Sequence, residues 1–199
     1  MNAQSANHLL DNLEKQVENH LQRAIVVLQN LSEAELNRPA TNGGWSVTQC
    51  LWHLNSYGDY YLPAIKRGLI AAPKSNNGFF KSGWLGGFFT KLMMPKENAT
   101  KFKAAPQHTP PLQLPAAEIV AEFIRQQEEL IQLLRKSRNL DIENTRVPIS
   151  ISQWVRLKMG DVFQFLIAHN ERHLQQAQRN ISPRLWQLLE EQKGLSVQL

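Results

Sequence analysis

Residues 160–180 read GDVFQFLIAHNERHLQQAQRN. Val162, Leu166, His169, His173 and Gln176 recur at alternating four- and three-residue steps, with Phe163, Ile167, Asn170, Leu174 and Ala177 on the adjoining stripe. That is the period of an amphipathic helix. Its two histidines border the buried face instead of pointing into open water. Imidazoles four residues apart stand one turn above each other, so their nitrogens can converge on one ion. Taken alone, the pair reads equally as two interface histidines bonded to polar neighbours.

Working outward, three more long helices are predicted. The first runs from about residue 6 to 31, with Leu10, Leu13, Val17, Leu21, Ala24, Leu28 and Leu31 at helical steps. NRPATNGGW (37–45) is a loop, broken by Pro39 and by Gly43 and Gly44. Helix two starts with a capping-box pair, Ser46 and Gln49, and a staple pair, Trp45 and Cys50, and continues to about Gly68. Helix three follows Pro115, with Val120, Phe123, Ile124, Leu130, Ile131 and Leu134 as its apolar stripe. Helix four is the opening stretch. A short last helix is signalled by Ser182 and Pro183 before it and Gly194 after it. RVPISIS (146–152) alternates weakly, too short and isolated to build a sheet. The expectation is an all-α chain, one domain over 1–199, forming a four-helix bundle whose long link between helices two and three permits a crossover.

That link, 69–115, lacks sustained periodicity and contains GFFKSGWLGGFFTKLMMP (78–95). It is too apolar for a freely solvated loop. It could cover a pocket as a lid, bury against a second subunit as a homodimer, dip into a membrane interface, or pack on its own bundle as a short helix. Residues 66–103 also carry eight Lys or Arg against Glu97 alone, within a chain of net charge +5. Clustered lysines usually mark a solvated surface, and no stacking platform or recognition motif points to nucleic acid.

The bulk properties agree with a globular protein: 199 residues, 42% hydrophobic, 20% charged. No run of about 18 apolar residues predicts a membrane span, and the first residues lack the pattern of a secretory signal. A single cysteine, Cys50, allows no internal disulfide and suits a reducing cytoplasm.

His53 changes the weight of the histidine pair. On helix two it shares a stripe with Gln49, Cys50, Tyr57 and Tyr60, beside Leu51 and Leu54. A bundle can bring one residue of helix two and two of helix four to a common point. Three imidazoles with an open fourth position are a recurrent catalytic zinc arrangement. Zinc or nickel is favoured; manganese or iron would also accept imidazole. HNERH is not HExxH: Glu171 lies about 200° around the helix from each histidine and is expected on the solvent side, or bonded to Arg172 or a neighbouring helix. His20, Cys50 and Asp59 are candidates for support of the site, against the plainer readings of a core-edge histidine, an inert buried thiol and a carboxylate about 120° away from His53. His8 and His108 are given no role.

GGWSVTQCLWHLNSYGDYY and MGDVFQFLIAHNERHLQQAQR resemble the two signature regions of the DinB-like (DinB/YfiT-like) superfamily, with its helix-two histidine and its HxxxH pair on the last long helix. The resemblance implies a four-helix bundle with a three-histidine divalent-metal site at His53, His169 and His173. It also implies a small-molecule reaction: relatives include transferases that use a low-molecular-weight thiol. The expected activity is thiol transfer to a small electrophile, or hydrolysis. The alternative is a non-catalytic, binding or stress-related bundle whose metal is structural or absent.

Overall fold

The computed structural model describes residues 3–41, 43–75, 78–95, 104–184 and 187. It is mostly helical: α1 (Ala6–Val26), α2 (Glu33–Asn37), α3 (Val47–Ala71), α4 (Trp84–Met93), α5 (Ala116–Lys136) and α6 (Met159–Gln178). Two small antiparallel pairs accompany them, β1 (Gln4–Ser5) with β2 (Phe79–Phe80), and β3 (Arg146–Ile149) with β4 (Ser152–Lys158). No helix among the described residues is long and apolar enough to cross a membrane.

Helix one stops five residues earlier than its apolar spacing predicts, and local chemistry explains why. The Asn30 amide donates to the carbonyls of Ile25 and Val26 at 3.0 and 3.1 Å, satisfying groups the helix end leaves open. A 3-10 turn follows at Leu28–Asn30. Ser32 then starts α2 with a reciprocal capping box: its hydroxyl accepts from Glu35 N, and its own N–H donates to the Glu35 carboxylate. The same device starts α3, where Ser46 and Gln49 bond reciprocally at 3.0 and 3.2 Å. That helix runs to Ala71 with Pro63 inside it.

One prediction from the sequence needs correction, and one open choice is decided. The RVPISIS stretch does form sheet structure. Val147 and Leu157 pair across β3 and β4 with their side chains buried, and the register shifts at Pro148 and Ile149. Pro148 is tolerated because a two-stranded sheet has only edge strands. Tyrosines of α3 secure the hairpin from below: the Tyr60 hydroxyl donates to the Ile149 carbonyl at 2.9 Å, and Ser150 N donates to the Tyr61 hydroxyl at 3.2 Å. The open choice concerns the 69–115 link: it contains α4, packed against α6, which is the short-helix alternative. The short helix expected after Pro183 lies largely outside the described residues.

Helices α1 and α3 each pack against both α5 and α6. One buried cluster joins Leu10, Val17, Tyr61, Leu134 and Phe163; a second joins Leu28, Leu51, Phe123 and Leu174. Fully burying side chains of this size contributes about 1.5–3 kcal/mol each. Helix α4 lies on α6 at very close range. A Cβ on Gly86 would stand 2.3 Å from the Asp161 carboxyl group, so only glycine permits the approach. Asp161, buried at the start of α6, accepts from Gly83 N at 2.9 Å and from the Ser82 hydroxyl, and so caps α4 from a neighbouring helix.

Candidate metal centre

His53 projects from α3 and His169 and His173 from α6, and one ring nitrogen from each lies within 4.8 Å of the others. The distance between His53 Nε2 and His169 Nε2 is 3.2 Å. Ring centroids are 4.6 Å apart for His53 and His173 and 4.8 Å for His169 and His173. No fourth His, Cys, Asp or Glu among the described residues joins the group.

Their tautomers follow from their partners. His53 Nδ1 lies 2.6 Å from the His108 carbonyl oxygen. A carbonyl only accepts, so Nδ1 carries the proton and Nε2 presents a lone pair to the cluster. His173 Nδ1 donates to Gln176 Oε1 at 3.0 Å, which likewise leaves its Nε2 with a lone pair. His169 Nδ1 is buried with no partner among the described residues. Leaving a buried polar atom unpaired costs about 1–3 kcal/mol. Burial pushes His53 down to about 4 and His173 down to about 3, and holds His169 well below its ordinary value. At neutral pH all three are uncharged, the state a metal ligand requires.

The donor set fits a divalent cation. Two bonds of about 2.1 Å meeting at 90–110° separate their nitrogens by roughly 3.0–3.4 Å, and the His53–His169 separation of 3.2 Å lies inside that interval. Outer partners hold the rings as metal-bound imidazoles usually are held, by a carbonyl on His53 and an amide oxygen on His173.

Aromatic rings pack around the cluster. Trp45 stacks on His173 at 5.7 Å and meets His53 at 4.8 Å, while Tyr57 lies 4.4 Å from His169. Burial raises the Tyr57 hydroxyl to about 12, so it is no base at neutral pH. The cluster opens on a cavity of about 810 Å³. Its further walls are the hairpin tip at Ser150 and Ile151, the inner face of α4 at Phe89 and Met93, and the last turns of α6. No Asp or Glu is among the described residues lining it.

The other candidates lie elsewhere. His20 is bonded to Glu171 at 2.9 Å, and Arg23 holds the same carboxylate at 3.0 and 3.1 Å. Glu171 therefore faces α1, the neighbouring-helix alternative. Asp59 accepts from Gln126 on α5 at 2.9 Å. Cys50 is fully buried, and desolvation raises its thiol to about 12. Sequence reasoning missed His108, whose carbonyl orients His53 and whose ring packs 4.0 Å from Tyr57. It also missed Trp45 as a wall of the site; its place directly before the Ser46 cap, two turns from His53, was the available signal.

A mostly helical chain that gathers three neutral histidines at the wall of an open cavity defines a class of candidate metal-binding helical proteins. The family model described as the DinB superfamily matches residues 16–177, and the chain belongs to that superfamily. No curated protein and no solved structure matches it.

Proposed function

We propose that the chain is a single-domain four-helix bundle, built from α1, α3, α5 and α6, that holds a divalent cation, zinc or nickel, on His53, His169 and His173. It uses the site to transfer a low-molecular-weight thiol to a small electrophile. The observation that carries this reading is the 3.2 Å approach of two imidazole nitrogens, His53 Nε2 having its lone pair directed inward by the His108 carbonyl. A cation held there supplies a Lewis acid, able to bring the pKa of an adjacent thiol or water toward 7.

The chain's own residues do the rest. Gln176 and the His108 carbonyl keep protons on the outer ring nitrogens. Trp45, Tyr57 and Phe165 pack against the rings and hold them in place. Among the described residues, the walls offer no carboxylate to take a proton. An ordinary thiol, with a pKa near 8.5, needs a shift of only one or two units to ionise, whereas water needs about nine. That difference favours thiol transfer over hydrolysis. The open cavity favours a catalytic site over a structural one, which would call for a fourth protein ligand. The buried lone thiol suits a cytoplasmic protein, and outward-facing Trp84 and Phe88 on α4 suit a homodimer.

Elemental analysis of the purified protein beside its His53→Ala variant tests the reading. One equivalent of metal in the first and a small fraction of that in the second is expected. Metal retained at full stoichiometry in the variant, or absent from the parent after growth with added zinc and nickel, overturns it.

A further inference from the structure

We propose that Ser56 is a positioning residue of the metal centre. It clasps the loop that carries His108 to α3, so that the His108 carbonyl fixes the Nδ1–H tautomer of His53 and leaves Nε2 to ligate. This rests on the metal reading for its chemical meaning, though not for the clasp itself. The Ser56 hydroxyl donates to the His53 carbonyl at 2.7 Å, one turn back on the same helix. A hydroxyl has one proton, so toward His108 Nδ1, at 2.9 Å, its oxygen accepts. His108 Nδ1 therefore carries a hydrogen, while the His108 carbonyl receives the one on His53 Nδ1 at 2.6 Å. The three residues close a ring of hydrogen bonds, in which Ser56 joins the loop's side chain to the backbone of the ligand itself.

The carbonyl needs such an anchor. It comes from a loop 55 residues away from His53 in the chain. The 3-10 turn Pro106–His108 sets the loop's own shape, with His108 N donating to the Ala105 carbonyl at 2.8 Å, but that bond does not tie the turn to α3. Ser56 supplies the tie. The His108 ring is buried, its Nε2 has no partner among the described residues, and Tyr57 packs against it at 4.0 Å. Farther along the loop, the Gln49 amide accepts from Ser46 N and donates from Nε2 to the Pro111 carbonyl at 3.2 Å. Gln49, His53 and Ser56 follow one another at steps of four and three residues, on one stripe of α3. The loop is thus laid antiparallel along that stripe, with the ligand between two anchors. The Gln49 bond is exposed and the Ser56 bond half-buried, where a hydrogen bond is electrostatically stronger. Losing the outer partner of a metal-bound imidazole typically costs about 10- to 100-fold in affinity. Here that partner is a backbone oxygen that no substitution removes, so the side chain that places it carries the effect.

Two readouts on the full chain test this. Long-range proton–nitrogen NMR of the EDTA-treated protein reports which His53 nitrogen holds the hydrogen, and competition with a chromogenic chelator gives the affinity for zinc. The parent should show the Nδ1–H form alone. Ser56→Ala, a change that a helix accepts readily, should show both tautomers and bind zinc about ten-fold more weakly. His108→Phe, which keeps the carbonyl and removes the ring donor, should do the same. The double variant should lose no more than about two-fold beyond either single one, because both remove one bond. Ser56→Thr, whose hydroxyl still reaches the carbonyl one turn back, should restore both readouts. Glu14→Gln, which loosens α1 from α5, should lower stability and keep the parent's tautomer and zinc affinity. A lone Nδ1–H form or parental zinc affinity in Ser56→Ala, losses that multiply in the double variant, or an equal zinc loss in Glu14→Gln overturns the proposal. A parent that carries no metal in elemental analysis defeats the metal reading, and the tautomers then decide the clasp: mixed in Ser56→Ala and single in Ser56→Thr uphold it. Stoichiometric metal with the parent's tautomer and zinc affinity in Ser56→Ala defeats the clasp alone.

Discussion

Cys50 and His53 stand one turn apart on α3, and their surroundings give them opposite chemistry. Cys50 is wholly buried among apolar side chains, which raises its thiol to about 12 and leaves no thiolate at neutral pH. A thiol reagent such as an aromatic disulfide should therefore leave the native protein unlabelled over hours and label one equivalent at once in guanidinium; rapid native labelling would show that this end of α3 opens. His53 is buried too, yet one nitrogen meets a carbonyl and the other the cluster. The three histidines were legible because side-chain identity and helical period suffice to align them. The His108 carbonyl was not legible, since a backbone acceptor has no residue signature and comes from a loop 55 residues away. The same holds for Glu171: angular spacing turned it away from the metal, but only packing could choose α1 as its partner.

At the scale of elements, the long helices were readable because each repeats its apolar face over many turns. The hairpin was not, because its inward residues Val147, Ile149 and Leu157 are too few for a period, and the α3 tyrosines that hold it are distant in sequence. Helix α4 was legible only as one of four readings of the link, because its cap is the buried Asp161 of α6, while Gly83 at its own N-cap gives no side-chain bond. Asp161→Ala should cost about 1–3 kcal/mol, as expected when half-buried donors lose a buried acceptor. Hydrogen exchange should localise the loss, speeding the α4 amides well before those of α5; uniform acceleration would refute a local cap.

Helices α1 and α5 are joined by charge. Glu14 of α1 accepts from Arg135 at 2.6 Å and from Arg138 at 2.8 Å. Burial by itself would raise its carboxyl, but these two arginines bring it below the ordinary 4.5. A carboxyl depressed by folding stabilises above its unfolded pKa, and that stability drains away as pH falls through the folded value. The melting temperature of the protein should thus fall more steeply below about pH 4.5 than that of Glu14→Gln. Parallel acid limbs for the two proteins would remove Glu14 from the account.

For the molecule as a whole, the cluster draws on two helices that meet only in the folded state. His53 and His169 are 116 residues apart in the chain, and the unfolded ensemble cannot hold them with His173 around one ion at comparable affinity. Metal affinity is then folding stability. At a free metal concentration about 100 times the dissociation constant, the native state gains roughly 2.7 kcal/mol. In a chain of this size each kcal/mol moves the midpoint by about 2–4 °C, so zinc or nickel should raise the melting temperature by about 5–10 °C. EDTA should reverse the rise, and His53→Ala should abolish it while keeping a cooperative transition. His20→Ala should keep the rise even though its own baseline drops, because His20 supports Glu171 and stands apart from the three ring nitrogens. A rise of the same size in His53→Ala would locate the ion away from the cluster, and a rise lost in His20→Ala would make α1 part of the ligand set.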